Sequence, residues 1–158
     1  MPRSRSTKFE LGKITESQSV NAVTATADER KAFGFGRMVD APANHSEPVY
    51  VALKYYDFEH ECFSSWTRDE LKEFSNFVGK LRKLSWDGLS GGLRPKPCKV
   101  EHAQHGAKER LKRVHEHLSR EIQFIELRVS QRARVHGFRM KSAFFLVLLD
   151  RDHRTFPV

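Results

Sequence analysis

At 158 residues the chain has room for one domain with a proper core, and its net charge is +8, from 28 Lys+Arg against 20 Asp+Glu. The excess is lopsided: residues 79–158 carry 18 Lys+Arg and 8 Asp+Glu, while residues 1–78 carry the other 10 and 12. Cys62 and Cys98 are the only cysteines, which excludes a disulfide framework, and no window approaches the roughly 18 apolar residues that a membrane span needs. No signal-peptide h-region follows the basic start, so a cytoplasmic protein without a membrane partner is expected.

Residues 1–47 are rich in Ser, Thr, Ala and charge and have little to bury, so they read as a polar, loosely ordered tail. Phe33, Phe35 and Met38 form one sticky segment within it, able to hook onto a groove of the domain or onto a partner. Residues 48–158 read as the folded domain. Its first element is the alternating run Val49–Phe58, a strand. Thr67 and Glu70 have capping-box spacing and start a helix over Arg68–Leu84. Leu71, Phe74, Phe77, Val78, Leu81 and Leu84 form its apolar stripe, and Gly88 is a natural left-handed stop. The Gly- and Pro-rich stretch 89–106 reads as a loop, and Ala107–Arg120 as a second, more polar helix.

The last third holds three strands. Ile122–Ser130 and Ala133–Lys141 alternate in character, and Ala143–Leu149 is a continuous apolar run. In the first, Ile125, Leu127 and Val129 share one face, and Phe124, Glu126, Arg128 and Ser130 the other. In the second, Arg134, His136, Phe138 and Met140 share a face, opposite Val135, Gly137, Arg139 and Lys141. If Phe138 and Met140 are core, Arg134 and His136 point inward. Arg134 and Arg139 serve one site only if a bulge intervenes. An outer face collecting Arg, His and Glu is the expected functional surface.

The stretches FIELRVSQRARVHGFR (Phe124–Arg139) and LVLLDRDHR (Leu146–Arg154), with the order strand, two helices, three strands, resemble the RelE/YoeB family of toxin ribonucleases from bacterial toxin–antitoxin modules. Leu127-Arg128 matches a strand ending in a Leu-Arg pair, Arg134-Val135 the opening of the next strand, and Arg151-Asp152-His153 the Arg-x-His after the last. The resemblance implies an α+β fold, a small antiparallel sheet of about four strands with two helices packed on it. It implies an RNA- or ribosome-directed endoribonuclease, needing no cofactor and held in check by a protein antitoxin. The alternative is a non-catalytic nucleic-acid- or protein-binding module of the same fold.

Cleavage by the 2′-OH needs a base, an acid and cations around the phosphorus. The candidate catalytic residues are Glu126, Arg128, Arg134, Arg151 and His153, with His136 a second possible base. Arg128, Arg132, Arg139 and Lys141 are the candidate nucleic-acid contacts. A separate Cys/His set, Cys62, Cys98, His102 and His105 with His60 nearby, contains zinc-type ligands, but its C-x3-H-x2-H spacing is unlike the usual C-x2-C, and no metal is assigned to it.

Overall fold

A computed structural model describes residues 26–33, 47–90 and 92–157. The fold is α+β. Its centre is the apolar run that the sequence marks, now β5 (Ala143–Asp150), with all eight residues buried. Strand β4 (Arg134–Met140) pairs with it antiparallel, and β3 (Phe124–Arg128) pairs antiparallel with β4. Among the described residues the sheet has five strands rather than four and is mixed. Strand β1 (Tyr50–Ala52) lies parallel to β5, and β2 (Lys96–Cys98) adds antiparallel to β3, giving the order β1-β5-β4-β3-β2.

Three expectations are corrected here. The run Val49–Phe58 is a strand only over Tyr50–Ala52, because the chain turns at Leu53, whose carbonyl accepts from the Tyr56 N–H at 3.0 Å. That turn sends Tyr55 into the core on one side of the sheet and lets Tyr56 pack on the other. The stretch 89–106 is not a plain loop but contains β2, whose residues Lys96, Pro97 and Cys98 find partners on β3. A proline is tolerated there because β2 is an edge strand. Finally, Gly88 does not end the first long helix: α2 (Arg68–Leu81) closes on Arg82 in right-handed geometry, and Gly88 sits in a 3-10 turn, Trp86–Ser90.

The capping box forms as its spacing requires. The Thr67 hydroxyl accepts from the Glu70 N–H at 3.3 Å, and the Glu70 carboxylate accepts from the Thr67 N–H at 2.7 Å. Replacing Thr67 by alanine is expected to lower stability by about 1 kcal/mol in chemical denaturation, because an orphan N–H then faces no acceptor. Phe77 and Leu81 of the predicted stripe are fully buried, while Leu71 at its start is exposed.

Helices α2 and α3 (Ala107–His117) take opposite faces of the sheet. Phe77 and Leu81 of α2 pack with Leu127, Val135, Phe144, Leu146 and Leu149. Ala107 and Leu111 of α3 pack with Phe124, Phe138, Phe145, Val147 and Leu148. A bulge sets this division. Pairing steps from His136↔Leu148 to Gly137↔Leu146, leaving Val147 as the extra residue of β5. Two residues on the bulged strand then oppose one, so Val147 and Leu148 both reach the α3 side. The Val147 carbonyl accepts from the Asp57 N–H at 2.8 Å, so the bulged residue's acceptor is satisfied.

Most of the expected tail lies outside the described residues, including Phe35, Met38 and the Phe33 side chain of the sticky segment. Within it, Ala27–Phe33 forms a short helix, α1, whose Glu29 carboxylate pairs with Lys54. No helix among the described residues is long and apolar enough to cross a membrane.

Candidate functional site

Register brings the chemistry-bearing residues together. Glu126 lies opposite His136, Arg128 opposite Arg134, and Arg134 opposite Asp150, all on the α3 face of the sheet. Phe138 and Met140 are core, so the inward reading of Arg134 and His136 holds. The expected outer face is therefore an interior one. His136 is wholly buried, and Glu126 and Asp150 retain only 6% and 4% of their surface. The C-terminal segment after β5 folds back over them: Phe156 lies against the His136 ring with centroids 5.0 Å apart, and the Thr155 carbonyl accepts from Gln104 N–H.

Asp150 organises this end of the sheet. Its carboxylate accepts from His136 Nε2 at 3.0 Å and from the backbone N–H groups of Arg154 and Thr155 at 2.8 and 3.0 Å. Burial alone pushes this carboxyl up, but the His136 hydrogen bond and the two backbone donors outweigh it and hold it at about 2. An ionised carboxylate only accepts, so His136 Nε2 carries a proton and Nδ1 is the nitrogen turned away from Asp150. Nδ1 faces Glu126 Oε2 at 3.9 Å. The same oxygen lies 3.5 Å from His153 Nε2, and the other carboxylate oxygen 3.5 Å from Arg134 Nε. Glu126 Oε2, His136 Nδ1 and His153 Nε2 are buried atoms with no hydrogen-bond partner among the described residues.

Arg134 is the guanidinium beside the Glu126 carboxylate, and other arginines lie near Arg134. Arg134 feels the charge of Glu126, Arg128 and Arg94, and burial is the main reason its guanidinium is less basic than usual. Arg128 Nε and Arg134 Nη1 both donate to the Ser130 carbonyl, so the turn between β3 and β4 holds the two guanidiniums side by side. Arg94, with a left-handed φ of 43°, comes from the loop before β2.

Of the five sequence-derived catalytic candidates, Glu126, Arg128, Arg134 and His153 thus gather at one end of the sheet. Arg151 is engaged elsewhere. Its Nε donates to Glu70 at 2.7 Å and its Nη1 to the Ser65 carbonyl at 3.0 Å, fastening β5 to the capping box of α2. The nucleic-acid candidates also divide. Arg132 is exposed on the β3–β4 turn and pairs with Asp152. Arg139 is on the opposite face, stacked on Trp86 at 4.8 Å, and lies five residues, about 17 Å of strand, from Arg134. Lys141, beside it, donates to the Ala32 carbonyl. The bulge that would have united Arg134 and Arg139 is in β5 and leaves them on different faces.

Asp150, Arg94 and Cys98 were not anticipated at this site. Asp150 had a signal, an acid closing an apolar run, but its partner His136 is 14 residues away. Cys98 arrives through β2, and burial together with the nearby Glu126 charge pushes its thiol up to about 12. The predicted Cys/His set does not assemble as a ligand group. Among the described residues the donor atoms that converge belong to Cys98, Glu126 and His136, all within 4.8 Å of one another. No family model matches the chain, and no curated protein or solved structure matches it either.

Proposed function

We propose that the chain is an RNA-directed endoribonuclease of the toxin type, working by general acid/base chemistry at the Glu126–His153 end of the sheet. The observation that carries this reading is a buried carboxylate with His136 Nδ1 and His153 Nε2 at 3.9 and 3.5 Å from one oxygen and Arg134 Nε at 3.5 Å from the other. Glu126 takes the 2′-OH proton, O2′ attacks the adjacent phosphorus, and the leaving 5′-oxygen takes a proton from His153. Arg128 and Arg134 stabilise the charge that gathers on the phosphoryl oxygens. Asp150 keeps His136 in one tautomer beneath the carboxylate. The ribosome as the platform for cleavage, and an antitoxin whose acidic segment covers the arginines, are part of the same proposal.

The burial of Glu126 favours a second reading, a non-catalytic module that binds nucleic acid or protein through the arginines alone. One experiment separates the two. The full chain is expressed alone to score growth arrest, and purified to assay cleavage of RNA with and without ribosomes. Glu126→Gln and His153→Gln are each expected to slow cleavage about a hundredfold and relieve the arrest. Wild-type protein that leaves RNA intact with ribosomes present would leave the binding module standing.

A further inference from the structure

We propose that Cys98, Glu126 and His136 form a binding site for a divalent transition-metal ion of the zinc class. The donors come from three adjacent strands on one face of the sheet. Cys98 pairs with Phe124 on β2–β3, two residues along β3 from Glu126, which in turn lies opposite His136 on β4. Rigid neighbours therefore present a thiol sulfur, a carboxylate oxygen and an imidazole nitrogen, all within 4.8 Å of one another. Such a set of sulfur, nitrogen and oxygen donors suits zinc, which takes three or four of them in tetrahedral array.

A second argument is the lack of partners for two of these atoms. Asp150 engages His136 Nε2 at 3.0 Å, while Nδ1 and Glu126 Oε2 face each other at 3.9 Å, both buried and without a hydrogen-bond partner among the described residues. Buried polar atoms without a partner are unfavourable, and an ion ligated by both would satisfy them together. A carboxylate that receives the far N–H of an imidazole is the arrangement that orients a histidine toward a metal. Phe156 on the His136 ring and the fully buried setting hold that orientation. The fourth position falls to water or to His153, whose Nε2 is 3.5 Å from the same carboxylate oxygen. Binding releases the Cys98 thiol proton to solvent as the metal–sulfur bond forms.

Because Glu126 is also the base of the proposed reaction, the metal-loaded form is inactive and the metal-free form active. That consequence rests on the proposed function; the binding does not. The test is titration of the metal-free, full-length protein with Co2+, followed by absorption, with Zn2+ added afterwards to displace it. A single equivalent is expected, with a sulfur-to-cobalt charge-transfer band. Cys98→Ser should abolish that band, Glu126→Gln should weaken binding, and Asp150→Asn should weaken it about 10- to 100-fold. A His102→Ala/His105→Ala double variant should bind as wild type. No Co2+ uptake by wild-type protein, a charge-transfer band that survives Cys98→Ser, or binding lost in the double variant but kept in Glu126→Gln would each overturn the site. In the cleavage assay Zn2+ should inhibit wild type and spare Cys98→Ser. Loss of that arm alone, with the cobalt spectrum intact, counts against the inhibition and not against the site.

Discussion

Replacing Gly137 by alanine is expected to destabilise the protein by about 3 kcal/mol or more, read as a lower midpoint in urea unfolding. A Cβ at this position would lie 2.0 Å from the Phe145 carbonyl oxygen and 2.9 Å from Phe144 Cζ. The first of these is backbone of the central strand, which cannot swing aside as a flexible side chain does. The demand for glycine here is one of close approach between β4 and β5, at the step where Val147 bulges out of the pairing. Forcing the strands apart would also loosen the His136–Asp150 contact one residue away. Gly137→Ala should therefore reduce stability and disturb the candidate site together, whereas Gly79→Ala, on α2 with open space around its Cβ, should be neutral or slightly stabilising.

Removing Asp150 is the second large effect. Asp150→Ala strips a buried imidazole of its partner and leaves the Arg154 and Thr155 N–H groups without their acceptor, so a loss of about 3–5 kcal/mol is expected. The same carboxylate sets an acid limb. It stands at about 2 in the fold against an ordinary 3.8, since the His136 and backbone hydrogen bonds outweigh the opposing effect of burial. A depressed carboxylate contributes stability that is complete above its unfolded value and is lost as pH falls through the folded one. About 2 kcal/mol should therefore disappear between roughly pH 4 and pH 2. Urea unfolding across that range checks it, and Asp150→Asn should flatten the decline. A variant whose stability falls with pH as steeply as wild type would remove Asp150 as its source.

Much of the architecture was legible because its causes are local. The 3.6-residue stripe and the Thr67–Glu70 box define α2, and alternation followed by an apolar run defines β3, β4 and β5. Those patterns act within a few residues. Strand β2 was missed because Lys96, Pro97 and Cys98 carry no alternation and little apolar character. They become a strand only because β3 offers an open edge. The length of β1 was overread for the opposite reason: apolar Tyr55 and Tyr56 extend the pattern, yet they belong to a turn that feeds both cores.

Local patterns suffice for the α+β class, the three antiparallel C-terminal strands and the residue types available for chemistry. They also divide Arg134 and Arg139 between faces through the period of two. The parallel placement of β1 beside β5, and the bulge that turns Val147 and Leu148 to one side, come from tertiary pairing. Tertiary structure alone tied Arg151 to Glu70, set Asp150 against His136, and brought Cys98 to Glu126 and His136. The physical reason is distance along the chain. Side-chain periodicity reports which face a residue occupies, but which residue it meets there depends on pairing between strands that no local preference encodes.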